Sequence, residues 1–145
     1  MGWSGYGKYD GDGTATVQMS MVELAGFKRD IPLDNGDILA ELWTWNVGRA
    51  SLSKDVVDAV FSKWRAIQKS LRNPTYYDRE DTCIFDMMAA DFFMSHGVLM
   101  PEDLQARIGA SLDYLLSDEH AGDFRDPSKR RRVLRAFKAK AVNWE

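Results

Sequence analysis

Residues 83–94 read Cys83-Ile84-Phe85-Asp86-Met87-Met88-Ala89-Ala90-Asp91-Phe92-Phe93-Met94, and on a helix their apolar side chains fall on almost every side. A surface helix keeps its apolar residues to one stripe, whereas a helix that is apolar all round lies at the centre of a bundle. We expect this helix to begin within 78–82 and to end near His96, with Gly97 in the left-handed position that closes a helix. The segment therefore predicts a helical bundle built around it.

A second helical pattern precedes this central segment. Ser53 is a suitable cap for a helix whose apolar residues keep to one stripe, and Asn73-Pro74 ends that helix. Together with the central helix and the two helices that follow it, this helix is predicted to form the helical body of the protein, residues 53–144.

Two further helices follow the central segment. Pro101 opens one that stops near Ser117, and 118–125 has the composition of a polar loop. Asp126-Pro127 then supplies a cap and a first helical residue for a last helix rich in basic residues.

The first thirteen residues have a different composition. Residues 1–13 contain five glycines interleaved with Trp3, Tyr6 and Tyr9. Glycine lets a backbone lie close to another surface, and exposed aromatic rings cost free energy in water. We expect an irregular arm that packs onto the body.

Residues 14–50 fit two kinds of secondary structure. Apolar and polar residues alternate over 15–21, as in a strand, but apolar residues there also fall at helical spacing. Asp37 is a good cap for a helix further on. The predicted fold class is mainly α, a bundle of about five helices with a glycine- and aromatic-rich N-terminal arm. The alternative is an α+β fold with a small β-hairpin or sheet over 14–46.

The length and composition indicate one globular domain, residues 1–145, since the chain is 45% hydrophobic and 28% charged. One cysteine makes no internal disulfide, which favours a reducing compartment. Neither a signal peptide nor a membrane span is recognisable in the sequence. We therefore expect a cytoplasmic protein that does not associate with membranes.

The charges are distributed unevenly along the chain. The net charge is −3, yet residues 126–145 contain seven basic residues and two acidic ones. Arg131, Arg135 and Lys138 recur there at helical spacing, which is one way to build a nucleic-acid surface. Neutralisation against the acidic remainder of the fold is the preferred interpretation.

Asp86 and Asp91 interrupt the apolar central helix, and a buried carboxylate needs compensation. Five residues apart, they are separated by about 140° around the helix axis, so they do not form one acid/base pair. We expect structural ion pairs, with an arginine of the C-terminal helix or a backbone amide as partner.

No catalytic, metal or cofactor site is predicted. Asp10-Gly11-Asp12-Gly13-Thr14 begins like a calcium loop, but Ala15 and Met21 stand where such a loop needs glycine and glutamate. His96 is expected to cap its helix, and Cys83 to be inert filling in an apolar helix.

Three stretches resemble one protein family. The opening Gly5-Tyr6-Gly7-Lys8-Tyr9-Asp10-Gly11-Asp12-Gly13-Thr14-Ala15 resembles the start of a group of small uncharacterised bacterial proteins, a domain of unknown function whose N-termini read roughly Gly-x-Trp-Gly-x-Gly-x-aromatic-x-Asn-Asp-x-Ala. Ala89-Ala90-Asp91 and Asp126-Pro127-Ser128-Lys129-Arg130-Arg131-Arg132-Val133-Leu134 look like that group's central and C-terminal helices. The resemblance implies a mostly helical single domain and assigns no catalytic or binding residue.

The preferred function is a non-enzymatic protein-binding module, similar in size and composition to small bacterial or phage inhibitor and immunity proteins. Aromatic side chains that interfaces favour are the candidate contact residues, namely Trp3, Tyr6, Tyr9, Trp43 and Trp45. The partner is expected to be another protein, and the sequence leaves its identity and the oligomeric state open.

Two alternatives belong to other classes. The first is a nucleic-acid-binding protein that uses Arg131, Arg135 and Lys138. The second is an enzyme whose site is assembled from dispersed carboxylates and a histidine, with Asp10, Asp12, Asp86 and Asp91 as candidates.

Overall fold

The computed structural model describes residues 14–26 and 54–145, and this part of the chain contains seven helices and no strand. The helices are α1 (Thr14–Leu24), α2 (Lys54–Ser62), α3 (Trp64–Leu71), α4 (Arg79–Ser95), α5 (Glu102–Leu115), α6 (Asp118–Ala121) and α7 (Pro127–Val142). The mainly α prediction is confirmed. The start of the ambiguous 14–50 segment is helix α1, and the expectations for 1–13 and 27–53 lie outside the described residues.

Helix α4 lies at the centre of the described bundle, as its composition predicts. Every residue from Cys83 to Met94 is buried, because α5 and α1 cover it and α3 contributes Trp64. The indole of Trp64 stacks on Phe85 and meets Phe93 edge-on, with both ring centroids 5.6 Å away. Helix α7 packs against α5, and its Leu134, Phe137 and Ala141 belong to the same core.

Both ends of α4 are closed by local hydrogen bonds. At the start, the Asp78 carboxylate accepts from the Asp81 amide and the Asp81 carboxylate accepts from the Asp78 amide, which forms a capping box. At the end, Gly97 has φ +68°, and the Gly97 and Val98 amides donate to carbonyls of the last turn. The predicted limits of this helix are therefore confirmed.

The helix predicted between Ser53 and Asn73 is divided in two, so the single-helix prediction is wrong. The break falls at Lys63, where φ is −100° and ψ is 14°. The Lys63 ammonium donates to the Ala25 carbonyl, 3.1 Å away at the end of α1. This contact between distant segments gives a tertiary reason for a break that the apolar spacing does not show.

The polar loop predicted over 118–125 is also incorrect, because it contains the short helix α6. His120, Ala121 and Phe124 are buried there, so three side chains of this polar segment belong to the interior. The last helix starts as predicted, since the Asp126 carboxylate accepts from the Lys129 amide and a proline follows it.

None of the helices described has both the length and the apolar character needed to cross a bilayer.

Candidate functional site

Helix α3 has one apolar face and one basic face. Trp64 and Ile67 are buried, whereas Arg65 and Lys69 are exposed and Arg72 follows as the C-cap residue. Positions i, i+4 and i+7 lie within about 60° of each other around a helix, so the three cations share one side.

These cations line a groove of about 540 Å³ between α3, the loop after it and α5. Its lining residues are Arg65, Gln68, Lys69, Arg72, Asn73, Pro74 and Arg107. Four of the seven are basic and none is acidic, so the groove is a positively charged concavity on a chain of net charge −3. We call these seven residues the basic groove.

Asp86 lies behind the basic groove with no exposed surface. Its Oδ1 accepts a 3.0 Å hydrogen bond from Nε of Arg107 and lies 3.3 Å from Nε of Arg72. Its Oδ2 accepts a 2.6 Å hydrogen bond from the Ser111 hydroxyl. Two guanidinium groups and a hydroxyl thus compensate a buried negative charge, which would otherwise be very costly.

A second set of hydrogen bonds fixes the groove's edge. Nη2 of Arg107 donates to the Gln68 carbonyl oxygen at 2.8 Å, and the Gln68 amide donates to Asp103. The Trp64 indole also donates to Asp103, at 2.8 Å. Burial on its own raises the pKa of Asp103, but hydrogen bonds from Trp64, Gln68 and the Leu104 amide outweigh it and lower that pKa. Asp103 therefore holds α3 and α5 together as a carboxylate.

The arrangement leaves cations free at the groove surface. Arg107 uses all three of its nitrogens on Asp86, Gln68 and Asp103. By contrast, Arg65, Lys69 and the two outer nitrogens of Arg72 have no hydrogen bond or ion pair with any residue that the structure describes. The groove is able to bind an anion without first breaking an internal ion pair.

The expected partner of Asp86 is corrected by this geometry. The expected partner was an arginine of the C-terminal helix or a backbone amide, but Asp86 instead contacts Arg107 from α5 and Arg72 from the end of α3. Asp91 is buried in a different setting, where the Gln18 side chain of α1 donates to it at 3.1 Å. The two carboxylates face different elements and do not form one site.

The basic residues of α7 are partly neutralised within the fold. Arg131 hydrogen-bonds to the Leu116 carbonyl and pairs with Asp118, while Lys138 pairs with Asp113. Arg135 is exposed. Two of the three residues considered for nucleic-acid binding are thus occupied by acidic neighbours on α5 and α6, as the preferred interpretation of the charge asymmetry supposes.

The two histidines both lie within hydrogen-bonding distance of other groups of the fold. His96 is the C-cap residue of α4, and its Nδ1 lies 2.8 Å from the Phe92 carbonyl oxygen. His120 is completely buried, with Nδ1 3.0 Å from a Glu80 oxygen and Nε2 3.0 Å from a nitrogen of Arg130. Burial, followed by the positive charge of Arg130, lowers the pKa of His120 to about 3. His120 is therefore neutral and does not change its charge near neutral pH.

No group of three or more His, Cys, Asp or Glu side chains within 14–26 and 54–145 is arranged to hold a metal ion. The aromatic contact candidates Trp3, Tyr6, Tyr9, Trp43 and Trp45, like the enzyme candidates Asp10 and Asp12, lie outside the described residues.

Sequence reasoning missed the groove residues. The spacing of Arg65, Lys69 and Arg72 opposite an apolar stripe was a usable signal for a basic face. No comparable local signal points to Arg107 or to the contact between Glu80 and His120, because packing between separate helices creates both.

No family model matches the sequence, and neither a curated protein nor a solved structure is significantly similar to it.

Proposed function

We propose that this chain is a non-enzymatic protein-binding module that recognises its partner through the basic groove. The observation that carries the proposal is the combination of free and fixed cations. Arg65, Lys69 and the outer nitrogens of Arg72 have no partner among the described residues, while buried Asp86 holds Arg72 and Arg107 from behind. For Arg72, whose outer nitrogens stay free, this preorganisation lowers the entropy cost of binding.

The chemistry of the groove favours binding over catalysis. Its lining consists of arginine, lysine, carboxamide and proline side chains, so Lys69 is the only one of the seven whose type acts as a nucleophile or general base, and no carboxylate, imidazole, hydroxyl or thiol lines the groove beside it. Asp86 already accepts from two side chains and contacts a third. His120 is neutral, buried and hydrogen-bonded within another cluster.

The groove's surroundings suit a protein partner. Tyr76 follows closely after Pro74 of the lining and is 77% exposed, and Tyr77 is also exposed. Tyrosine and arginine are enriched among the residues that dominate binding energy at protein interfaces. A cytoplasmic setting belongs to the proposal, and the single buried thiol, Cys83, is compatible with it.

Charge reversal in the groove tests the proposal. The variant Arg65→Glu/Lys69→Glu changes two exposed side chains, and Arg132→Glu/Arg135→Glu changes two exposed cations on α7 as a matched control. Each immobilised protein is incubated with nuclease-treated lysate of the source cell. We expect a protein that the wild type and the control retain and the groove variant loses.

Two results would contradict the proposal. One is that the same proteins bind the wild type and the groove variant equally well. The other is that the wild type retains proteins only from lysate without nuclease treatment and that the α7 variant does not retain them. That result would instead favour the nucleic-acid alternative through Arg131, Arg135 and Lys138.

A further inference from the structure

We infer that the segment bound in the basic groove is an extended acidic peptide with carboxylates on alternate residues. The inference rests on the proposed function and deepens it, because it names the chemistry of the partner. It is carried by the spacing of the cations, by the polar lining and by the net charge of the chain.

The cations are spread along the groove rather than gathered at one point. Arg65, Lys69 and Arg72 extend over seven residues, which corresponds to about 10 Å along a helix. Alternate residues of an extended peptide are about 7 Å apart and point to the same side. Two or three carboxylates in that pattern match the spread of these three cations along α3, whereas one compact anion contacts only part of that row.

The hydrogen-bond donors of the basic groove have the arrangement that binds carboxylates. A guanidinium group presents paired N–H donors that match the two oxygens of a carboxylate. Arg65 and the outer nitrogens of Arg72 supply two such forks, since neither is engaged by a described residue. Lys69 lies between them in sequence and adds an ammonium group, and the Asn73 and Gln68 carboxamides add polar lining.

The lining does not resemble a pocket for a drug-sized or cofactor-sized ligand. Such pockets are lined mostly by apolar and aromatic side chains with a few polar groups. Here Pro74 is the only apolar residue among the seven that line the groove. A ligand that lies along the surface fits this composition better than one that is enclosed.

A nucleic acid is less favoured than an acidic peptide. Single-stranded nucleic acid is bound by long basic tracks that cover several nucleotides. The chain has a net charge of −3, and the Asp103 carboxylate, 43% exposed, borders the groove through its contacts with Gln68 and Arg107. A continuous phosphate backbone meets repulsion there, while a peptide needs charge only at alternate positions.

The test measures binding by fluorescence anisotropy with the full chain. The probe is a labelled peptide that alternates glutamate with serine, and its control is the same peptide with glutamine for glutamate. A labelled single-stranded oligonucleotide and unlabelled pyrophosphate represent the other anions. The proteins are the wild type, Arg65→Glu/Lys69→Glu, Arg132→Glu/Arg135→Glu and Arg65→Lys.

We expect the glutamate peptide to bind the wild type and the α7 control equally. The wild type should bind the glutamine peptide at least about tenfold more weakly than the glutamate peptide, and Arg65→Glu/Lys69→Glu should bind the glutamate peptide at least about tenfold more weakly than the wild type does. Added salt should weaken the binding of the glutamate peptide. Arg65→Lys keeps the charge but loses the fork, so its affinity should lie between those of the wild type and the charge reversal. Arg65 and Lys69 are exposed and have no hydrogen bond or ion pair with a described residue, so both groove variants should fold.

Other outcomes overturn the inference in distinguishable ways. If the oligonucleotide or pyrophosphate binds more tightly than the peptide and depends on Arg65 and Lys69, the acidic-peptide assignment is wrong although the groove is a binding site. If no probe binds while lysate capture still depends on the groove, the assignment alone fails. If the groove variant also retains the same lysate proteins as the wild type, the proposed function is wrong as well.

Discussion

Nη2 of Arg130 lies 3.0 Å from Nε2 of His120, and both side chains are completely buried. Because a guanidinium only donates, Nε2 must accept, and the imidazole proton must be on Nδ1, which faces Glu80. The Arg130 guanidinium also lies 4.2 Å from the centre of the Phe124 ring. This arrangement requires a neutral His120, so the stability of the protein depends on pH.

We predict that the free energy of unfolding falls as the pH falls from about 6.5 towards 3. The pKa of His120 is about 3 in the folded protein and close to 6.5 in an unfolded chain. The unfolded state binds more protons in this window, so stability rises with pH by up to about 1.4 kcal/mol per unit. Burial raises the pKa of Glu80, which opposes the trend only where Glu80 itself titrates.

Urea unfolding between about pH 5 and 7.5 measures this effect. His120→Gln is the control because glutamine does not titrate, and its stability should be lower at neutral pH and change less over this range. If the wild type and the variant depend equally on pH, His120 does not titrate as the structure indicates.

Asp86→Asn should destabilise the protein by about 3–5 kcal/mol, because it leaves the guanidinium groups of Arg107 and Arg72 without their buried counter-charge. Asp113→Asn is the matched control. Its carboxylate pairs with Lys138 at the surface, where such pairs contribute less than about 1 kcal/mol. Chemical denaturation measures both, and equal effects would refute the role given to Asp86.

Gly97→Ala should destabilise the protein by about 1–2 kcal/mol. Gly97 has φ +68°, which an alanine adopts only at a cost, and no atom lies within 4 Å of the added methyl group. Gly109→Ala is a control inside helix α5, where the methyl group meets Val142 at 3.4 Å. That change should stabilise the helix by up to about 1 kcal/mol. Thermal unfolding of both variants should therefore give shifts of opposite sign.

Cys83 should react slowly with a thiol reagent in the native protein. It is 7% exposed, and burial raises the pKa of its thiol, with a smaller contribution from the negative charge of Asp86. Cys83 is the only cysteine of the chain, so the measured rate reports it alone. We expect reaction to be more than about tenfold faster in denaturant, where the thiol is accessible. Equal rates in native and denatured protein would show that Cys83 is accessible to the reagent in the native fold.

The sequence was sufficient for the features that depend on local signals. The all-round apolar composition of Cys83–Met94 identified the central helix, Asp126-Pro127 located the start of the last one, and Gly97 located the end of α4. The break at Lys63 and the buried side of α6 were missed. Both depend on contacts between segments far apart in the chain, such as the one between Lys63 and Ala25.

In the candidate site, too, local sequence signals predict some features and contacts between distant segments determine the others. The basic face of α3 follows from the spacing of Arg65, Lys69 and Arg72, and was available in the sequence. The burial of Asp86 was anticipated, yet its cations were sought in the basic C-terminal segment, where charge is most abundant. Composition shows how much charge a segment carries, whereas only packing decides that Arg107 is the residue that reaches Asp86.

A helix with apolar side chains on all sides has little to define its rotation about its own axis, since one apolar face packs nearly as well as another. In α4, Asp86 is hydrogen-bonded towards α5 and Asp91 towards α1, at positions about 140° apart. Inserting one residue between them turns the second carboxylate by about 100° and separates it from Gln18. The two aspartates therefore fix the rotational register of the core and make this segment intolerant of changes in length.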